Sequence, residues 1–214
     1  MLTLLLATRN RHKVRELRRL LAGLPIRLLA LDSFPSVPPV RENGATFREN
    51  AVAKALSVSR HVGLPVLAED SGLEVQGLRG RPGVHSARYA GSAQSDRANV
   101  TKLLKALDGA PARGRRARFV CVMAWAVRGR VIRTFRGSCA GRIAESPRGR
   151  GGFGYDPLFV PTGFNSTMAQ MPLKQKNRIS HRARAASALR AWLHAGGARS
   201  GGRVRGSLRG DPAG

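Results

Sequence analysis

Residues 2–7, LTLLLA, are apolar but for Thr3, and such a run predicts a strand buried on both faces. A polar turn, Thr8-Arg9-Asn10, follows, and over 11–22 Val14, Leu17, Leu20 and Leu21 share one face of a helix. Residues 26–31 predict the second strand, and 33–40, with three prolines, a connector. Thr46 with Glu49 three positions on is a capping box that opens a helix to about residue 61. A short strand over 65–68 then delivers Glu69-Asp70-Ser71-Gly72 at its C-terminal end, with a further strand at 73–76. Ser95 caps a helix to about residue 107. Residues 117–127 and 130–138 read as a hairpin around Arg128-Gly129, and 140–144 as a third short strand. Residues 157–160 form a brief strand, 163–175 a loop or irregular helix, and Ser180 caps a final helix over 181–194. Strands alternating with helices predict the α/β class.

Composition narrows the setting. The 214 residues suffice for a sizeable core over 1–195. From 196 to 214 glycine, arginine and serine dominate, and Val204 and Leu208 are too little apolar surface to offset ordering entropy. That segment reads as a disordered basic tail. No run of 18 apolar residues exists, which argues against a spanning helix. At the N-terminus the apolar run precedes the charges, the reverse of a signal peptide. With Cys121 and Cys139 both in apolar, strand-like contexts and no metal spacing, the expectation is a cytoplasmic protein with reduced thiols. The net charge of +26 would ordinarily suggest a polyanion partner. Two observations count against nucleic acid. Arginine outnumbers lysine amid abundant alanine and glycine, as a GC-rich coding sequence produces, and the charges lie along the whole chain. Aromatics make up only 5% of residues, too few for a stacking platform.

Four groups of residues carry candidate chemistry. Thr8, Arg9, Asn10, Arg11, His12 and Lys13 stand where a strand passes into a helix, so they form either an anion site of amides and lysine or an ordinary capped helix with a basic first turn. The glycines of a P-loop are missing. Acids are scarce, 12 in all, yet Glu69 and Asp70 are adjacent at a strand end and Glu42 precedes the capped helix. They are candidate ligands for a hard cation that shares them with phosphate oxygens, or else capping and turn residues. The stretch GGFGYDP at 151–157 combines three glycines with Phe153, Tyr155 and Asp156. It suits a loop that lays a ring on a planar ligand while main-chain amides meet its edge, or a plain glycine-rich connection. Lys176, His181 and Arg182, around the start of the last helix, are donors able to read an acceptor-rich base edge, or are a structural histidine and solvated charge.

Taken together, six stretches in order resemble the inosine triphosphate pyrophosphatase family, the non-canonical purine nucleoside triphosphate pyrophosphatases or XTP/dITP diphosphatases. They are ATRNRHKVREL at 7–17, ENGATFRENAVAKA at 42–55, LAEDSGLEV at 67–75, GRPGVHSARYAG at 80–91, GGFGYDPLFVP at 151–161 and KNRISHRARA at 176–185. The resemblance covers residues 1–194 and implies a twisted mixed β-sheet with flanking helices, forming two lobes around a nucleotide cleft. It implies Mg2+-dependent hydrolysis of purine nucleoside triphosphates such as ITP, dITP and XTP to monophosphate and pyrophosphate, by a homodimer. By position, Thr8–Lys13 and Lys54 would line the phosphates, and Glu42 and Asp70 would hold magnesium. Asp70 would also activate the attacking water, and Ser71 would touch the substrate. Phe153, Gly154, Tyr155, Asp156, Lys176, His181 and Arg182 would bind the base, with Phe153 stacked on it. Donors facing a 6-oxo group favour hypoxanthine and xanthine over adenine, which presents a donor there. Three departures from the family stand out: Arg9 replaces a usual glycine, Glu69 replaces an aspartate, and Lys174 and Gln175 stand where acids are usual. Two rivals remain, a pyrimidine-preferring pyrophosphatase and a basic nucleic-acid-binding protein on a related scaffold.

Overall fold

The computed structural model describes residues 1–91, 93 and 95–197. The chain alternates as the apolar pattern predicts: β1 (Leu2–Leu6), α1 (Arg11–Leu20), β2 (Ile26–Ala30), α2 (Phe47–Val62), β3 (Val66–Val75), α3 (Asp96–Ala106), β4 (Arg116–Val127), β5 (Arg130–Ile143), β6 (Phe159–Pro161), α4 (Leu173–Ile179) and α5 (His181–His194). The strands make one mixed sheet in the order β2-β1-β3-β4-β5-β6. β1 is parallel to both its neighbours, and every later pairing is antiparallel. Leu4, Leu5 and Leu6 have no exposure, each burial stabilising by about 2 kcal/mol, because β1 has partners on both edges and helices on both faces.

Alternation along β3 and β4 sorts the core in two. Val66, Ala68, Val120, Val122 and Ala124 face Phe47, Ala51, Ala55 and Val58 of α2. Leu67, Cys121, Met123 and Trp125 face Leu17 of α1 and Ala185, Ala186 and Leu189 of α5. A third cluster closes the far end of the long strands, where Leu73, Val75, Phe119 and Phe159 meet Leu103 of α3 and Tyr155.

Local signals land where sequence chemistry places them. Thr46 accepts from the Glu49 amide at 3.1 Å, and Glu49 reaches back to the Ala45 amide at 2.8 Å. Ser95 and Ser180 cap α3 and α5. Arg128 and Gly129, both at positive φ, form the two-residue turn of the β4–β5 hairpin. Four boundaries differ from the apolar pattern. β3 is one strand through Glu69–Gly72, since β4 pairs every residue from Val66 to Val75. β5 is likewise continuous where the pattern divides it in two, α1 stops at Leu20, and α4 takes up part of the expected irregular stretch. The expected tail lies outside the described residues from 198 onward.

Candidate functional site

Period 2 along β3 sends neighbouring acids to opposite faces of the sheet. Glu69 points with Cys121 toward α1 and α5, and Asp70 points toward α2. Each acid then meets a different environment.

Glu69 belongs to a buried chain of charges. Arg182 donates to it from Nε and Nη2, both at 2.8 Å, and Lys13 stands 3.1 Å away. Arg182 donates onward to Glu16 at 2.6 Å and to Ser71 Oγ at 3.1 Å. Lys176 closes the chain, donating to Glu16 at 2.8 Å and to Asp156 at 2.6 Å. Burial by itself would raise the Glu69 carboxyl, but the Arg182 and Lys13 charges outweigh it and hold the group well below the usual range. Glu16 is lowered in the same way, burial being outweighed by Arg182 and Lys176. Asp156 goes the other way: burial raises it, and the Lys176 ammonium offsets only part.

Asp70 is less well met. Asn50 Nδ2 donates to its Oδ2 at 3.0 Å, and the Ser71 amide donates to Oδ1 at 3.0 Å. The nearest ammonium, Lys54, is 3.8 Å from Oδ1 while standing 3.1 Å from Glu42. Burial therefore prevails and the Asp70 carboxyl is raised, against the pull of Lys54 and Lys13. Lys13 acts on both Glu69 and Asp70, so it joins the two faces.

Ten of the expected residues line one cavity of about 140 Å³: Asn10, Lys13, Ser71, Phe153, Gly154, Tyr155, Asp156, Lys176, His181 and Arg182. The glycine-rich loop is built differently from expectation. Its Phe153 and Gly154 amides are already bonded, to Asp156 at 2.9 Å and Asp96 at 2.7 Å. Gly152 has φ +75°, and a Cβ there would collide with Asp156 Oδ2, so glycine is what lets the loop wrap its own carboxylate. The Phe153 ring stacks on His12 at 5.2 Å, with Lys176 Nζ 5.1 Å from its centroid. His181 is 5% exposed and stacks on Phe119, and its Nδ1 has no hydrogen-bond partner among the described residues. Burial, with the Arg182 charge added, holds it well below the usual histidine range, so the ring is neutral and offers one N–H and one lone pair. Arg182, by contrast, commits four donor contacts to Glu69, Glu16 and Ser71 and serves mainly as a wall of the cavity.

The other expected residues lie outside the cavity lining. Glu42, Asp70 and Lys54 form the separate cluster on the α2 face. Thr8 Oγ1 accepts from the Asn10 amide at 3.2 Å, and Asn10 caps α1. Arg9 turns away and donates to the Val37 carbonyl at 3.0 Å, and Arg11 is exposed. Sequence reasoning passes over Glu16, Asn50, Ser86 and Asp96. Glu16 carries a signal, as the single acid in the basic helix RHKVRELRRL.

The oxygen-only pair Glu42 and Asp70 suits a hard divalent ion. Lys54 already places positive charge between them, and among the described residues no cluster of three or more His, Cys, Asp or Glu exists. A cation here would complete its shell with water and substrate oxygens, as magnesium ordinarily does.

Residues 4–192 match the model of the Ham1 family. The chain belongs to that family. It is 50% identical over 193 residues to a dITP/XTP pyrophosphatase of Geobacter sulfurreducens, covering 90% of this chain and 97% of the relative. A dITP/XTP pyrophosphatase of Geobacillus kaustophilus is also 50% identical, over 87% of this chain and 91% of the relative. The solved Ham1 protein of Coxiella burnetii superposes with a TM-score of 0.84 at 40% identity, covering 91% of this chain and 100% of that one. The mixed sheet with flanking helices expected from the resemblance is thus the fold of this Ham1 protein. No helix among the described residues is long and apolar enough to cross a membrane.

Proposed function

We propose that this Ham1 protein hydrolyses non-canonical purine nucleoside triphosphates, ITP, dITP and XTP, to the monophosphate and pyrophosphate. The single observation that carries the reading is the placement of Glu69 and Asp70 back to back. One builds a cavity of aromatic and donor groups, and the other stays under-neutralised beside Lys54 and Glu42. Relatives at 50% identity over nearly their full length bear the corresponding name.

In this reading residues 1–195 are the catalytic domain. The base enters between Phe153, His181 and Lys176, and the unpartnered His181 nitrogen supports a role in recognition. Lys176 keeps a third N–H beyond its two carboxylate partners, a donor for a 6-oxo group. Asn10 and Lys13, with Lys54, would meet the phosphates. Asp70 takes a proton from the attacking water as the water oxygen bonds to the α-phosphorus. The bond from that phosphorus to the bridging oxygen breaks, and pyrophosphate leaves. A carboxyl raised by burial is the better base near neutral pH. Glu42 and Asp70 would hold Mg2+, whose charge would stabilise the phosphate oxygens. Free thiols at Cys121 and Cys139 support the cytoplasm, and the resemblance supports a homodimer.

Pyrophosphate release from the triphosphates of inosine, xanthosine, guanosine, adenosine and thymidine, with and without magnesium, tests this. Fast release from the first two alone, and only with magnesium, is expected. Comparable rates with adenosine or thymidine triphosphate would overturn the substrate assignment.

A further inference from the structure

We propose that Asn50 is a positioning residue, whose amide registers the connector carrying Glu42 against β3 and fixes which oxygen of Asp70 faces Lys54. The inference rests on Asp70 acting as the base in the function proposed above.

Asn50 is 1% exposed and uses both ends of its amide. Oδ1 accepts from the Gly44 N–H at 2.8 Å, two residues from Glu42, and Nδ2 donates to Asp70 Oδ2 at 3.0 Å. The orientation is forced, since an N–H needs an acceptor and an ionised carboxylate needs a donor. Only an amide supplies both from one buried side chain of this length. Gly44 makes the approach possible: a Cβ there would lie 2.8 Å from Asn50 Oδ1 and 2.7 Å from Glu49 Cβ.

Lys54 stands four residues on, on the same face of α2, and spans the same two acids. The division of labour follows from the chemistry of the groups. The ammonium attracts both carboxylates without direction, whereas the amide sets an angle. With Oδ2 held by Asn50, Oδ1, which accepts from the Ser71 amide on its own strand, is the oxygen that stands 3.8 Å from Lys54. The connector has little regular structure of its own, and other long side chains pin it too, Arg9 at the Val37 carbonyl and Arg88 at the Glu42 carbonyl, at 3.0 and 2.9 Å. Asn50 alone among these also touches the base.

The test compares Asn50→Ala and Asn50→Asp in the full chain, by steady-state kinetics with inosine triphosphate and by hydrogen exchange at the Gly44 amide. An ionised aspartate can still accept from Gly44 but cannot donate to Asp70, and it sets a like charge beside that carboxylate. Both variants should lose about 100-fold in kcat with KM changed less than about threefold, the scale of a misplaced reacting group. Gly44 should stay protected in Asn50→Asp and exchange faster in Asn50→Ala. If Asn50→Asp keeps both Gly44 protection and wild-type kcat, the residue is merely structural and the inference fails. Should Asn50→Ala not fold, Asn50→Asp decides between these outcomes by itself. Asp70→Asn in the same assay separates the two levels. If it is inactive while the Asn50 variants turn over normally, only this inference falls. If it keeps wild-type turnover, the role of Asp70 falls as well.

Discussion

Glu69 and Asp70 are neighbours in one strand, carry the same charge and are both buried, yet they live in opposite electrostatic worlds. Glu69 has a bidentate arginine and a lysine against it, and its ionised form is held firmly. Asp70 has two neutral N–H donors and an ammonium at 3.8 Å, and its ionised form is held poorly. A fully neutralised carboxylate holds helices to a sheet and is a poor base. A poorly neutralised one costs stability and is available to a proton, a cation or a substrate. The 12 acids of this chain are thus not interchangeable, and what separates the two in β3 is which face of the sheet each one takes.

Neutralising each acid in turn puts the contrast under the greatest load. Glu69→Gln removes the bidentate partner of Arg182 and leaves it only Glu16, a carboxylate already shared with Lys176, and urea denaturation should show a loss of about 3–5 kcal/mol. Asp70→Asn should change stability by less than about 1 kcal/mol, because it also removes the desolvation of a poorly paired charge. Its kcat should nevertheless fall about 1,000-fold, as for loss of a general base. If Asp70→Asn unfolds the protein and Glu69→Gln leaves it intact, the assignment of the two faces is reversed.

A smaller effect is expected at the cavity wall. Phe153→Ala removes the ring next to His12 and Lys176 and should raise KM for inosine triphosphate about tenfold, near 1.4 kcal/mol, with kcat changed less. An unchanged KM would mean the ring packs the loop and does not meet the base.

The most gradual effect is a slope. His181 is held below the usual range when folded, so the unfolded chain binds a proton below about pH 6.5 that the folded chain does not. Stability should therefore decline as pH falls below about 6.5, by up to about 1.4 kcal/mol per pH unit for this one group. The decline should steepen at lower pH as Glu69 and Glu16, whose folded values are depressed, lose ionised states that the fold stabilises. His181→Phe should remove the first part of the slope and leave the second, as denaturation midpoints at pH 7, 6 and 5 would reveal.

The elements and most of the cavity are legible along the chain. Leu4–Leu6, the Thr46–Glu49 box, the Ser95 and Ser180 caps and the Arg128-Gly129 turn are local chemistry, settled within a few residues, and all appear where that chemistry puts them. The motifs at 8–13, 151–157 and 176–182 also converge, with Asn10, Lys13, Phe153 and His181 around one space. How the charges are shared is another matter, and belongs to tertiary packing. Glu16 and Arg182 are 166 residues apart and meet because α1 and α5 pack on the same face of the sheet. The loop amides expected to meet a ligand are taken by Asp156 and Asp96, and Arg9 is drawn to Val37. Continuity of β3 rests on β4, which supplies a partner for each residue of the EDSG stretch and so fixes which acid faces α2. Spacing along a chain shows which side chains can share a face. Which of them neutralise one another depends on distances of a few ångströms between elements far apart in sequence, and folding alone sets those.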